Sequence, residues 1–284
     1  MRWWPKHDPD WQRATAAQLA TLQPQRQPAA PGITGGLFRD LQVISAVLPA
    51  RSAAPGRLLF CSDLHWNCQD PHAGDELVAA INALAPDWLV FGGDLITYMQ
   101  FMPTALTLLG RLTARHGKFA VFGNWERRKH WCPESYWRDV YRQAGFRLLV
   151  NEVAESAGLL LAGYDDLRWG KPDFSILPAA AATGPALVVG IAHEPHTFAH
   201  GGDQFAGHLL LSGHTHAGQI RLPRFGALHT SNPYWKQFEC GWYRRRTDAA
   251  WLHINAGLGC SGSGFLRRRI FCPPELVAVT LTAE

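Results

Sequence analysis

The sequence predicts an α/β fold: a four-layer α-β-β-α sandwich in which two packed sheets are covered by helices. Three observations carry this. From Arg57 to Ala144 short apolar strands alternate with helical segments, the rhythm of parallel βαβ units. From Leu159 onward the chain turns strand-rich, enough for a second sheet. Five polar motifs each follow a predicted strand, where open α/β sheets gather their loops.

In order, Asp10 is placed to cap a short helix through Trp11, Ala14, Leu19 and Leu22. Gln23 to Gly36, rich in Pro, Gln, Ala and Gly, reads as a linker. The expected division is therefore an N-terminal appendage over 1–36 and one main domain over 37–284. A strand over Leu41–Leu48 ends at Pro49. Strands follow at Leu58–Cys61, Trp88–Phe91 and Phe119–Phe122, separated by helices over Asp75–Leu84, Thr104–Thr113 and Ser135–Ala144. Further strands are expected at Leu159–Gly163, Leu187–Ala192, His208–Leu211, Gln219–Leu222, Trp251–Ile254 and Leu276–Leu281. No repeat of fixed period is present.

Composition narrows the function classes. The 284 residues are 47% hydrophobic and 18% charged, which suits a globular body with a substantial core. A net charge of +4 is too mild to indicate a nucleic-acid partner, and none is expected. Six cysteines without a CxxC pair, one inside a predicted buried strand, read as mostly reduced thiols. The start MRWWPKHDPDW lacks an apolar signal core, and no run of about 18 apolar residues occurs. The expected location is the cytoplasm, with peripheral contact at the inner membrane face as an option. Trp3, Trp4 and Trp11, with Leu19, Leu22 and the triplets Arg244–Arg246 and Arg267–Arg269, are the residues suited to an anionic lipid surface.

The chemistry lies in the motifs Asp63-Leu64-His65, Gly92-Gly93-Asp94, Gly123-Asn124, His193 and Gly213-His214-Thr215-His216. A lone Asp or His after a strand is usually a turn former or cap. Five such motifs in order, all rich in carboxylate, amide and imidazole, point instead to a site for Mn, Fe or Zn. In Asp63-x-His65 and His214-x-His216, alternation in an extended segment would aim both side chains to one side.

This order, D-x-H, G-G-D, G-N, an isolated His, then G-H-T-H, resembles the calcineurin-like metallophosphoesterase superfamily from about Leu58 to the C-terminus. The segments GHTHAGQIRLP and AGLGCSG…CPPELVAVTL resemble more narrowly its bacterial YkuE/YaeI-type phosphodiesterase branch. The resemblance implies the metallophosphoesterase form of the sandwich and two divalent metal ions, manganese first and iron or zinc as alternatives. It implies that Asp63, His65 and His216 hold one ion, that Asn124, His193 and His214 hold the other, and that Asp94 bridges both. Asp94, Asn124 and His193 are then also the catalytic residues. It further implies a phosphate-ester or pyrophosphate substrate. The sharpest instance is a lipid-linked nucleotide sugar such as UDP-2,3-diacylglucosamine, on which a chlamydial relative of the branch acts. A general small-molecule or nucleotide phosphodiesterase is the alternative enzyme, and a catalytically weak metal-binding scaffold the alternative outside catalysis.

One departure stands out. Relatives read GNHD or GNHE, with a His taken to protonate the leaving oxygen; this chain reads GNWE. Trp125 has no proton to give near neutral pH, which favours a substrate with a good leaving group or a donor from elsewhere. Asn67, Trp125, Glu126 and His196 are the candidate substrate-pocket residues, with His130 and Tyr164 also near the motifs. The Gly-rich stretch from Gly257 to Gly264 is suited to approaching a phosphate but lacks a P-loop lysine.

Overall fold

The strands form where the apolar runs are, and most are buried on both faces. In the computed structural model, which describes residues 10–29, 37–49, 54–177, 186–201, 207–232, 235–262, 264 and 267–283, they build two seven-stranded mixed sheets and one small hairpin. The chain begins with β1 (Trp11–Arg13), α1 (Ala16–Leu22), β2 (Gln25–Pro28) and β3 (Gln42–Pro49). The βαβ half contains β4 (Gly56–Cys61), α2 (Asp75–Ala83), β5 (Trp88–Phe91), α3 (Met102–Gly110), β6 (Gly117–Ala120), α4 (Asn124–Arg128), α5 (Glu134–Gln143) and β7 (Phe146–Leu148). Then come β8 (Glu152–Ser156), β9 (Leu159–Gly163), β10 (Leu187–Ile191), α6 (His196–Gly201) and β11 (Leu209–Ser212). The hairpin β12 (Arg221–Leu222) and β13 (Gly226–Ala227) precedes β14 (Gly241–Arg245), β15 (Trp251–Ile254) and β16 (Glu275–Thr282).

The first sheet has the order β2-β3-β16-β4-β5-β6-β7, with β4 to β7 parallel; the second is β1-β14-β15-β11-β10-β9-β8, with β9, β10, β11 and β15 parallel. Strand alternation sorts the core into layers. Leu58, Phe60, Trp88 and Val90 face Leu159, Leu161, Leu187, Val189 and Leu211 between the sheets. Leu59, Cys61, Leu89 and Phe91 face the helices through Leu77, Ile81, Leu108, Trp137 and Tyr141. Each such Leu or Val, fully buried, stabilises by about 1.5–3 kcal/mol. Among the described residues the outer cover of the second sheet is thin: Phe198 of α6, Phe174 and Phe238 pack on Val188, Leu210 and Leu252, together with Tyr164, whose ring lies in this outer layer.

The start of the chain differs from expectation. Trp11 lies in an edge strand paired with Arg245, not in a helix, and α1 is capped by Thr15, whose side chain accepts from Gln18 N while Gln18 reaches back to Thr15 N. Asp10 instead offers its carbonyl to Arg246 N. Gln25–Pro28, expected as linker, pairs with β3 at the edge of the first sheet. β1 and β2 thus extend both sheets; edge pairing overrode weak local propensity. The boundary drawn at 36–37 and Trp3 and Trp4 fall at or outside the limits of the described residues. Trp11 and Leu22, expected to seat on lipid, are core residues, each 2% exposed.

The arginine triplets are also largely used by the fold. Arg244 stacks on Trp251, Arg245 pairs with Asp248, and Arg246 reaches Gln12. Arg267 reaches the His65 carbonyl, and Arg269 donates to the carbonyls of Ala256 and Gly259. All six cysteines are free thiols. No helix among the described residues is long and apolar enough to cross a membrane.

Candidate metal centre

Parallel pairing brings the carboxyl ends of both sheets to one place. Cys61, Phe91 and Ala120 are in register across β4, β5 and β6, and Ile191 pairs with Leu211 across β10 and β11. Asp63, His65, Asp94, His193, His214 and His216 lie just past these strands, Asn124 opens α4 after β6, and all seven are buried.

Their functional atoms converge. Asp94 Oδ2 lies 3.4 Å from His65 Nε2 and 3.3 Å from His193 Nε2. Asp63 Oδ1 is 3.4 Å from His216 Nε2 and 3.9 Å from His193 Nε2. Asn124 Oδ1 sits 3.1 Å from His193 Nε2 and 2.9 Å from His214 Nδ1. Asp63, His65 and His216 form one compact group of potential ligand atoms, and Asp63, Asp94 and His193 another.

The surroundings set which nitrogen of each ring faces inward. His193 Nδ1 is 2.8 Å from the Gly92 carbonyl, which can only accept, so its proton sits there and Nε2 points in. His214 is turned the other way: Nε2 donates to the Ser231 carbonyl at 3.2 Å and leaves Nδ1 inward. His65 Nδ1 meets Thr97 Oγ1 at 3.1 Å. The inward nitrogens of His65 and His216 are 3.1 Å apart, and those of His193 and His214 3.3 Å. Two facing lone pairs need either a proton or a cation between them. Two carboxylates, one amide oxygen and four imidazoles are a donor set that suits divalent transition ions, so the residues fit a two-metal centre.

The electrostatics agree. Burial pushes the Asp63 carboxyl up to about 6, against the pull of His193. Burial opposes ionisation of Asp94 too, but His193, His65 and the Trp125 N–H outweigh it and hold its carboxyl below the ordinary range. His193 shows the reverse balance: burial disfavours its charge, yet Asp94 and Asp63 push it well above the usual imidazole value. The two carboxylates thus favour positive charge at the His193 position, where a cation would sit. Burial lowers His65 to about 4 and His214 to about 3, leaving both neutral, as ligation requires.

Backbone geometry supplies the convergence, and not in the way strand alternation suggests. Asp63 (φ 54°), His65 (42°), Asp94 (58°), His214 (67°) and His216 (50°) all have left-handed backbones. The strands have already ended, so these loops turn each side chain inward by local bends that cost about 1–3 kcal/mol apiece. Neighbouring groups hold the bends. Ser62 Oγ and His214 N donate to Asp63 Oδ2 at 2.6 and 2.9 Å. A Cβ on Gly213 would fall 2.2 Å from the same oxygen, so only glycine admits this approach.

The expected pocket residues divide. Glu126 is buried and accepts from the backbone N–H groups of Asp94, Leu95 and Gly123 at 2.9, 2.7 and 2.9 Å. It ties the GGDL and GNWE loops together and is not available to substrate. Asn67, with its amide oxygen toward the guanidinium, accepts from Arg267 at 2.9 and 3.0 Å. Trp125 is half-buried, its ring set edge-on to His65 at 5.6 Å and its outer side meeting Arg128 at 4.7 Å. His196 is buried and lines a cavity of about 520 Å³ with Arg168, Glu194, His214 and His229. His130 binds the Arg128 carbonyl and packs on Trp131, bordering neither this cavity nor a second one of about 270 Å³ beside His216. The Gly-rich stretch supports a ligand loop at its start, where Leu258 N and Gly259 N donate to the Ser62 and Asp63 carbonyls, and further on Ser261 and Gly262 line the smaller cavity beside His216. Ser62, Thr97 and the Ser231 carbonyl, which orient the candidate ligands Asp63, His65 and His214, were not anticipated; only Ser62, inside SDLH, carried a sequence signal.

Residues 56–218 match the family described as calcineurin-like phosphoesterase. The chain is 30% identical over 214 residues to the uncharacterized metallophosphoesterase YkuE of Bacillus subtilis, covering 72% of this chain and 71% of that protein. It is 32% identical over 185 residues to phosphodiesterase YaeI of Escherichia coli, covering 62% of this chain and 66%, about two thirds, of the relative. It is 26% identical over 278 residues to UDP-2,3-diacylglucosamine pyrophosphatase LpxG of Chlamydia trachomatis, with 78% and 82% covered. Family sites of this kind hold two divalent metals. With more than half its length matched, and a relative at 30% identity, the chain belongs to the calcineurin-like phosphoesterase family and is a metal-dependent phosphoesterase.

Proposed function

We propose that this protein hydrolyses a phosphodiester or pyrophosphate bond, using two divalent ions, manganese first, held by Asp63, His65, Asp94, Asn124, His193, His214 and His216. The observation that carries the reading is the place of Asp94: one of its oxygens lies between His65 on one side and His193 on the other, at 3.4 and 3.3 Å. Asp63, His65 and His216 make one set, and Asn124, His193 and His214 the other, with Asp94 shared. Two cations so held supply positive charge to phosphate oxygens and acidify water. The chain's own part is positional. Glu126 anchors the loops of Asp94 and Asn124, the Gly92, Ser231 and Thr97 oxygens fix three imidazoles, and the Trp125 indole shields His65 from solvent.

The proposed substrate class is a lipid-linked nucleotide sugar such as UDP-2,3-diacylglucosamine. The similarity to the UDP-2,3-diacylglucosamine pyrophosphatase LpxG supports it. So do two cavities of about 520 and 270 Å³ that share His229 and Ser231 beside the ligands. The rim supports it as well: Trp169 is 51% exposed, and Arg128 and Arg168, the latter lining the larger cavity, lie against its ring. An anionic membrane surface would meet an indole and guanidiniums there. The test compares UDP-2,3-diacylglucosamine with bis-p-nitrophenyl phosphate, with Mn²⁺ added. Release of UMP at a kcat/KM above that for the aryl diester is expected. Turnover of the aryl diester alone would leave a small-molecule phosphodiesterase.

A further inference from the structure

Hydrolysis of such a bond leaves one proton unassigned. Water adds through oxygen to phosphorus, the P–O bond to the leaving group breaks, and its electron pair goes to the departing oxygen. That oxygen needs a proton unless it is already a weak base. The cluster imidazoles are committed elsewhere: His193 and His214 have one nitrogen on a backbone carbonyl and the other on the cluster, His65 has one on Thr97 Oγ1 and the other on the cluster, and His216 has Nε2 on the cluster and Nδ1 buried. Trp125 offers no acidic proton.

His229 is placed differently. It is exposed, and it borders both cavities: the smaller with Thr215, His216 and Gly218, the larger with Glu194, His196 and His214. Its backbone is held on both sides. Leu228 N donates to the Ile220 carbonyl at 3.1 Å, and the Ser231 carbonyl accepts from His214 Nε2 at 3.2 Å. A Cβ on Gly218, whose φ is +78°, would lie 2.5 Å from the His229 carbonyl oxygen, so the GHTHAG turn and the His229 backbone are in direct contact. Imidazole is the side chain that carries a transferable proton near neutral pH.

We propose that His229 is the general acid of this site, supplied from the loop after β13 in place of a histidine at position 125. Its imidazolium gives a ring N–H proton to the leaving oxygen as the P–O bond breaks. The proton released by the attacking water goes to solvent, from which the neutral ring is recharged. This inference rests on the phosphodiesterase reading above for its reaction.

The test uses manganese-loaded native, His229→Gln and His229→Ala proteins on diesters differing only in the leaving group, from p-nitrophenyl to alkyl. Unchanged denaturation midpoints establish folding, as expected for an exposed side chain. For the alkyl ester, kcat/KM should fall by about 10²–10⁴-fold, the usual value of general-acid help, with the loss shrinking steadily as leaving-group pKa falls. The native alkyl rate should also decline at high pH as the acid loses its proton, and this limb should vanish in His229→Gln. Arg168, Glu194, His196, His214 and His216 face the same cavities. A limb persisting in the variant therefore belongs to one of them and overturns the assignment. Independently, in zinc-loaded protein the His229 ring ¹⁵N resonances should shift when inorganic phosphate is added; unmoved resonances would count against contact. A uniform loss across the series, or none, overturns the role of His229 while leaving the phosphodiesterase reading intact. A native protein inactive on every ester removes that reading and this step together.

Discussion

The floor and the rim of the site are built on opposite principles. On the floor, all seven candidate ligand side chains are buried, five have left-handed backbones, and hydrogen bonds such as those of Ser62 and His214 N to Asp63 hold the loops. At the rim, Arg128, Arg168, Trp169 and His229 are exposed and contact one another or open cavities. That contrast decides which part resists change. A strained, buried cluster tolerates little, because every group supports another. An exposed rim can vary in identity without loss of fold, so substrate choice and proton delivery can be altered there independently.

The sharpest break of the floor is expected from Glu126→Ala. It leaves the buried N–H groups of Asp94, Leu95 and Gly123 without an acceptor, at about 1–3 kcal/mol each. Urea denaturation should show a loss of about 3 kcal/mol or more. A loss below about 1 kcal/mol would mean that water replaces the carboxylate and that the floor is less closed than it looks.

Asp94→Asn keeps the shape and removes the shared charge. Turnover should fall by about 10²–10³-fold, the effect of removing one key electrostatic group. Near-native rates in a folded variant would show that Asp94 does not join the two ligand sets.

Metal removal probes the same contrast without mutation. The protein should take up two equivalents of Mn²⁺, and saturation at a hundredfold excess over Kd should raise stability by about 2.7 kcal/mol per site. If chelation leaves the denaturation midpoint unchanged, bound ions do not stabilise the cluster and the two-metal reading fails.

The smallest effect is expected at the rim. With His229 as donor, Trp125→His should change kcat/KM for an alkyl diester by less than about threefold, against the 10²–10⁴ range of a newly gained acid. A gain of a hundredfold would show that the native site lacks a proton donor.

Much of the fold was legible because strand and helix periodicities are local. Trp88–Phe91, Leu159–Gly163 and Trp251–Ile254 lie where the apolar runs place them. β1, β2, β7, β8, β13 and β14 were missed, because two to five residues of mixed polarity become strands only when a neighbouring strand accepts their hydrogen bonds. The ligand types were legible as well, since carboxylate and imidazole after a strand are visible letter by letter. Their mode of convergence was not. Asp63 and His65 meet the cluster through left-handed bends, which no alternation pattern encodes.

The sequence by itself determined the α/β class, the family and the set of residues with metal-ligand chemistry, because these depend on residue type, order and short-range period. Only the tertiary structure decided that Glu126 is an anchor, that Trp11 is core, and that His229 stands beside His214 and His216. Glu126 lies 32 residues from the Asp94 N–H it holds. Across such separations, proximity is set by parallel strand register and loop bending, and a side chain's role follows from what those place against it.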